Sequence, residues 1–127
     1  MVTGGNLLFE REQLEGDGAT AAKIAARGVL QATQKMGASF VGIGSRDLAA
    51  GVAFLKGTHK PPAFSWLALN LVDPDTHAPL FAPMALRQIG GVKIAILALT
   101  DHTAAPASKE FQALDWRTAL SPVLAKA

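Results

Sequence analysis

Ser45, Arg46 and Asp47 place a hydroxyl, a fixed cation and a carboxylate side by side. They sit where the chain reads as a strand, a sharp turn and a helix. The apolar run from Phe40 to Ile43 has strand length and a β-branched bias. Gly44-Ser45 marks the turn. Ser45 has the chemistry of a helix N-cap, and Asp47 falls in the first turn, where a carboxylate suits the positive helix end. Leu48, Val52 and Leu55 then make an apolar stripe at helical spacing, and Gly57 supplies a stop. A strand that ends at a glycine turn and opens a helix sets backbone N–H groups at the carboxyl edge of a sheet, where α/β proteins bind anions and metals. Arginine forks onto anionic oxygens, so Ser45, Arg46 and the helix start form a candidate phosphate site.

The other chemistry-bearing residues are sparse. His59 and His77 lie in expected loops beside prolines, where a solvated role suits them. His102 follows Asp101 at the end of an apolar run, a better place for a site. No HxH or HExxH spacing brings metal ligands together locally. There is no cysteine, which excludes disulfides and thiolate metal sites. No nucleophile elbow or phosphate-loop signature occurs, and Gly42-Ile43-Gly44 lacks the third glycine and the later acid of a dinucleotide fingerprint.

The elements that must position these residues follow in order. Met1 to Thr3 reads as the end of a strand before the turn signal Gly4-Gly5-Asn6. Glu10 to Gly18 is an expected surface loop. Asp17 or Thr20 caps a helix to about Met36, stopped by Gly37, with Ala22, Ala25, Val29, Ala32 and Met36 as its expected buried face. Thr58 to Pro62 is an expected loop. Phe64 to Val72 predicts one strand, apolar on both faces, and Asp73 to Thr76 a turn. Gly90-Gly91 predicts a hairpin between Met84–Ile89 and Val92–Leu99. Beyond Lys93, the second arm reads as a central strand buried on both faces. Thr100 to Ser108 is a loop, and Leu114 to Ala127 a final helix weakened by Pro122. Long helices alternating with apolar strands predict an α/β fold, layered α/β/α with a mixed sheet.

Composition bounds the rest. The 127 residues are half hydrophobic, enough for one domain, 1–127, with a modest core. The net charge is +2, and its basic residues never cluster, so no nucleic-acid surface is expected. No apolar run reaches the roughly 18 residues of a membrane span. Met1 to Asn6 shows neither a basic leader region nor a long apolar one.

Four blocks carry a resemblance: Gly44 to Lys56, Leu67 to Asp73, Pro79 to Pro83 and Ile89 to Thr100, with Gly5-Asn6-Leu7-Leu8-Phe9 as an earlier fifth. In order and spacing they are similar to the bacterial 5′-nucleotidase and UDP-sugar hydrolase family of calcineurin-like metallophosphoesterases. The similarity runs roughly from residue 3 to 126. It implies the amino-terminal half of a metallophosphoesterase domain without its first strand. The family uses two divalent metals such as Mn, Zn or Co, and its members work mainly in the periplasm or outside the cell.

The resemblance also implies which positions matter. A metal-bridging Asp is expected where this chain has Asn6. A Gly-Asn-His-Glu motif, with a metal-binding Asn and a catalytic His, is expected where it has Gly44-Ser45-Arg46-Asp47. Asn6, Ser45, Arg46 and Asp47 are therefore degenerate metal positions, and no catalytic residue is assigned. Asn6 removes the bridging charge, and Arg46 places a cation that does not give up its proton where a neutral ligand belongs. Its repulsion costs a few kcal/mol per metal, taken at an effective dielectric of ~20. Two readings follow. One is a degenerate module that holds no metal and binds phosphate or a nucleotide. The other is a metal-dependent hydrolase of nucleotides or UDP-sugars completed by a partner chain or a longer product. Either way, a half-domain leaves an apolar face uncovered and is expected to self-associate.

Overall fold

A computed structural model describes residues 2–9, 18–58, 64–105 and 108–126. Of the expected loops at 10–18 and 58–62, residues 10–17 and 59–62, with the Asp17 cap and His59, lie outside the described residues, while Gly18 and Thr58 are helical. Strand β1 (Val2–Thr3) leads to helix α1 (Gly18–Lys35) and strand β2 (Phe40–Gly42). A 3₁₀ turn (Ser45–Ala50) and helix α2 (Val52–Thr58) then lead to β3 (Ser65–Leu67). β1, β2 and β3 pair in that order, all parallel, with Val2 opposite Phe40 and Val41 opposite Trp66. Each helical crossover returns the chain to the same edge of the sheet, which parallel pairing requires.

After β3 the strands are short and pair locally. β4 (Leu71–Val72) pairs antiparallel with β7 (Gln112–Ala113), and β5 (Met84–Ile89) with β6 (Val92–Leu97). Helix α3 (Trp116–Lys126) closes the chain and accommodates Pro122 within it. The α/β class holds, with strand pairing spread over three small sheets.

One apolar cluster joins the parallel sheet to its crossovers. Val41, Ile43, Trp66 and Leu71 meet Ala26 and Leu30 of α1, Leu48 of the 3₁₀ turn and Val52 and Leu55 of α2. Each fully buried Leu or Ile contributes about 2 kcal/mol by leaving water. Trp66 stands edge-on to Phe64 at 5.1 Å, and its indole N–H donates to the Leu55 carbonyl at 3.1 Å. That bond lets a large aromatic bury completely without orphaning its donor.

Four expectations need correction. Helix α1 buries Ala26, Leu30 and Thr33; of the expected stripe, Ala22 and Val29 pack against the core while Ala25, Ala32 and Met36 are exposed, Met36 at 65%. Burying Leu30 gains more than burying alanines, so the helix turns toward it. Thr33 follows because its hydroxyl bonds the Val29 carbonyl at 2.8 Å. The helix expected from Ser45 onward is two pieces, broken at Gly51, whose φ of 90° an α-helix excludes. Its cap is Gly44 rather than Ser45, although Leu48, Val52 and Leu55 are buried as expected.

The expected strand from Phe64 to Val72 is interrupted at Ala68–Asn70, where Asn70 turns its amide into the core. The second hairpin arm is not a central strand. The turn is as expected, with φ of 56° at Gly90 and 80° at Gly91, the positive values that a two-residue hairpin turn demands. Yet Val92 is 60% exposed and Ile94 38%, as are Leu86 at 65% and Ile89 at 64% on the facing arm. β5 and β6 pair only with each other, and nothing among the described residues covers their outer part. Arg87 reaches back, with its guanidinium 4.6 Å from the Phe40 ring centre.

Candidate functional site

The loops after β1 and β2 cross at the carboxyl edge of the parallel sheet, and Asp47 holds them there. This carboxylate is fully buried. Its Oδ2 accepts the N–H groups of Asn6 at 2.8 Å and Gly44 at 2.9 Å, and its Oδ1 those of Leu7 at 2.8 Å and Leu8 at 2.9 Å. Four backbone donors thus offset one buried charge. The expected role of Asp47 at a helix start is only part of what it does: one bond closes its own turn, and three reach forty residues back.

Two glycines make the crossing possible. A Cβ on Gly5 would fall on the Gly44 backbone, and one on Gly44 would fall on the backbone and side chain of Asn6. Asn6 itself is left-handed, with φ of 59°, a region asparagine tolerates better than most residues. Its side-chain Oδ1 accepts the Arg46 N–H at 2.8 Å. The N–H groups of Gly44 and Arg46 are therefore used inside the protein. Those two donors of the expected anion site are thus engaged by Asp47 and Asn6.

A third loop completes the site. Thr100 is buried; its Oγ1 donates to the Ile43 carbonyl at 2.7 Å, and its N–H to Asn70 Oδ1 at 2.8 Å. Asn70 Nδ2 returns bonds to the carbonyls of Thr100 at 2.7 Å and Leu114 at 2.8 Å. This buried polar network fixes the segment after β6 against the end of β2. Asp101, the next residue, uses Oδ1 to accept the Thr103 hydroxyl at 2.7 Å and the Thr103 N–H at 2.9 Å. Those bonds, the hydroxyl first, hold its carboxyl below the ordinary 3.8.

Between the three loops lies an open cleft of about 340 Å³, lined by Gly5, Asn6, Gly44, Ser45, Arg46, Leu99, Asp101 and Ala104. Three of the four positions singled out in the sequence, Asn6, Ser45 and Arg46, meet there. Asp47 lies beneath them as the tether. Ser45 is buried in the wall and Arg46 exposed at the mouth. Leu99, Asp101 and Ala104 come from a loop that spacing alone does not connect to Ser45. The two described histidines stay apart: His77 is exposed in the turn after β4, and His102 points toward Asp115, its Nε2 3.8 Å from Asp115 Oδ2. Among the described residues no three His, Asp or Glu side chains converge.

The same places bear on two-metal chemistry. Asn6 offers a neutral oxygen already bonded to Arg46 N–H, Asp47 is turned inward onto four donors, and Arg46 brings a positive charge. These residues do not fit a two-metal centre, which needs several free anionic or imidazole ligands.

No protein-family model matches the sequence, and no curated protein matches it either. Solved structures do. The Thermus thermophilus sulfate thiohydrolase SoxB superposes with a TM-score of 0.73 over 99% of this chain at 16% identity. A putative 5′-nucleotidase from Staphylococcus aureus gives 0.71 over 98% at 15% identity, and the calcineurin-like phosphoesterase YfkN from Bacillus subtilis gives 0.68 over 98% at 12%. This chain spans 23%, 25% and 43% of those chains. At such identities the likeness is one of fold. The class so defined is a fold: the α/β fold that these phosphoesterase structures share over nearly the whole of this chain. Within it, the neighbours include 5′-nucleotidases, as the sequence blocks implied.

Proposed function

We propose that this chain is a 5′-nucleotidase-like module that binds a phosphate group and does not hydrolyse its ester. One observation carries the reading: the cleft presents Ser45 and Arg46 at the places where the resemblance expects a metal ligand and a catalytic histidine. A guanidinium on the mouth of a small cleft attracts a phosphate as a cation pair would, without coordination chemistry. The neighbours' printed names support the ligand class, since several are nucleotidases. No metal is required in this reading, because the donors that would hold one are spent on the backbone.

The test has two arms. Inorganic phosphate and AMP are expected to raise the melting temperature of the purified chain, and Arg46→Ala to abolish the rise. Absence of a rise with either protein overturns the binding reading. Calorimetric titration with manganese, zinc and cobalt, followed by assay on nucleotides and UDP-glucose, is expected to show neither stoichiometric binding nor turnover. Turnover would mean that ligands are supplied from outside this chain, and the hydrolase reading would then stand.

A further inference from the structure

A second cleft lies beside the amino end of β3, away from the loops that carry Arg46. It measures about 230 Å³ and is lined by Lys56, Ser65, Trp66, Leu80, Phe81 and Ala82. These residues come from three separate segments, and backbone pairing brings two of them together. Ala82 bridges Leu67 in parallel, and the Ala68 N–H donates to the Ala82 carbonyl at 3.1 Å. That register carries Leu80 and Phe81 alongside Ser65 and Trp66. Trp66 spends its indole N–H on the Leu55 carbonyl, so it meets the cleft as hydrocarbon. Leu80 and Phe81, both half-buried, supply the rest of the apolar wall.

Two polar groups on this lining are unused by the protein. Lys56, in the last turn of α2, makes no ion pair or hydrogen bond among the described residues. Its ammonium stands 5.9 Å from the Phe81 ring centre, the outer limit of a cation–π contact, which positions the charge without satisfying it. The Ser65 hydroxyl also has no hydrogen-bond partner among the described residues. Apolar walls with a few convergent polar groups are the make-up of a small-molecule site. A neutral apolar molecule would use the walls and leave the ammonium idle. A phosphate monoester would bring two charges to one cation and set the second against hydrocarbon.

We propose that this cleft binds a small apolar carboxylate, with its charge on Lys56 and Ser65 and its hydrocarbon body against Trp66, Leu80 and Phe81. The volume sets the size: at about 30 Å³ for each water-sized group, the cleft holds about eight non-hydrogen atoms, those of hexanoate. The site is separate from the Arg46 cleft and does not depend on the phosphate reading.

Calorimetry on the full chain with butanoate, hexanoate and hexan-1-ol tests it. Each buried methylene is worth about fourfold in affinity, so hexanoate is expected to bind about fifteenfold more tightly than butanoate. Hexan-1-ol has the same body and no charge, and is expected to bind about tenfold more weakly than hexanoate, the worth of one charged hydrogen bond. Lys56→Met keeps the stem and removes the ammonium. It should weaken hexanoate by about tenfold and leave hexan-1-ol unchanged, with Lys56→Arg restoring most of the loss. Arg46→Ala should leave hexanoate binding as it is.

No binding of hexanoate to the wild-type chain overturns the inference, as does the lack of any gain from butanoate to hexanoate. Hexanoate held on the exposed β5–β6 hairpin would be indifferent to Lys56→Met, and that result overturns it too. Loss of hexanoate in Arg46→Ala would put the ligand in the other cleft, with the same consequence. The phosphate reading stands or falls by its own titration, whichever of these is found.

Discussion

Replacing Asp47 by Asn keeps the size of the side chain and removes its charge. The wild-type carboxylate receives four N–H groups at 2.8 to 2.9 Å. An amide has one oxygen to accept with, so the pair of donors on the other side meets an NH₂ group instead. A hydrogen bond to a charged acceptor is worth about 1.5–3 kcal/mol, and an unsatisfied buried donor costs about 1–3 kcal/mol. Taken singly, the four bonds would sum to more than most domains have in hand. The bond to Leu8 is buried, and those to Asn6, Leu7 and Gly44 are partly so. Water reaching the last three would satisfy part of the deficit. The expected loss is therefore about 3–4 kcal/mol, near the upper end for one substitution. For a chain of this length, this lowers the melting temperature by about 10–20 °C. Urea unfolding followed by circular dichroism measures it, and amide exchange at Asn6, Leu7, Leu8 and Gly44 should accelerate in step. A loss below about 1 kcal/mol with an unchanged denaturant slope would refute the clamp, because the four bonds would then be replaceable by solvent.

Gly44→Ala is expected to destabilise as severely, since its methyl group would occupy the place of Asn6; a melting temperature within a few degrees of wild type would contradict the crossing of the two loops. Glu110 Oε2 accepts the Val52 N–H at 3.0 Å and so caps helix α2 from a distant loop; Glu110→Ala should cost about 1 kcal/mol in urea unfolding, as a lost cap does. Asp73 sits in a turn where the N–H groups of Thr76, first, and Asp75 hold its carboxyl below the ordinary 3.8. A depressed carboxyl stabilises the fold above its unfolded value and loses that contribution as pH falls. The gap in urea midpoint between wild type and Asp73→Asn should thus be flat near neutrality and close below pH 3.8; a gap independent of pH would remove the charge from the explanation. The hairpin exposing Leu86, Ile89 and Val92 is expected to drive self-association, read by light scattering at tens of micromolar and relieved in Ile89→Lys; a monomeric wild-type chain would count against it.

What the sequence revealed was local. The strand–turn–helix at Phe40 to Leu55 and the glycine hairpin were legible because period and turn chemistry are written in neighbouring residues. The buried face of α1 was misread because an alanine-rich helix offers two faces of similar hydrophobicity, and the choice falls to Leu30. Val92 to Leu97 looked central because its apolar run is continuous, but burial depends on what lies across the sheet, which composition does not encode. The same distinction holds at the site. Asn6, Ser45 and Arg46 were visible as departures from a motif. Asp101 came into view only as the neighbour of His102, and the Asn70–Thr100 network gave no signal beyond one polar residue within an apolar run.

The Asp47 clamp has an implication for mutability. In many α/β proteins the residues that bind a ligand also brace the loops that carry them, so altering one imperils the other. Here the bracing is done from below, by a carboxylate reading main-chain groups that are present whatever side chain is attached. Positions 46, 101 and 104 can change chemistry while the loop crossing stays intact. A combinatorial library at those positions, with Gly5, Gly44 and Asp47 held fixed, would sample many binding specificities on one unaltered scaffold.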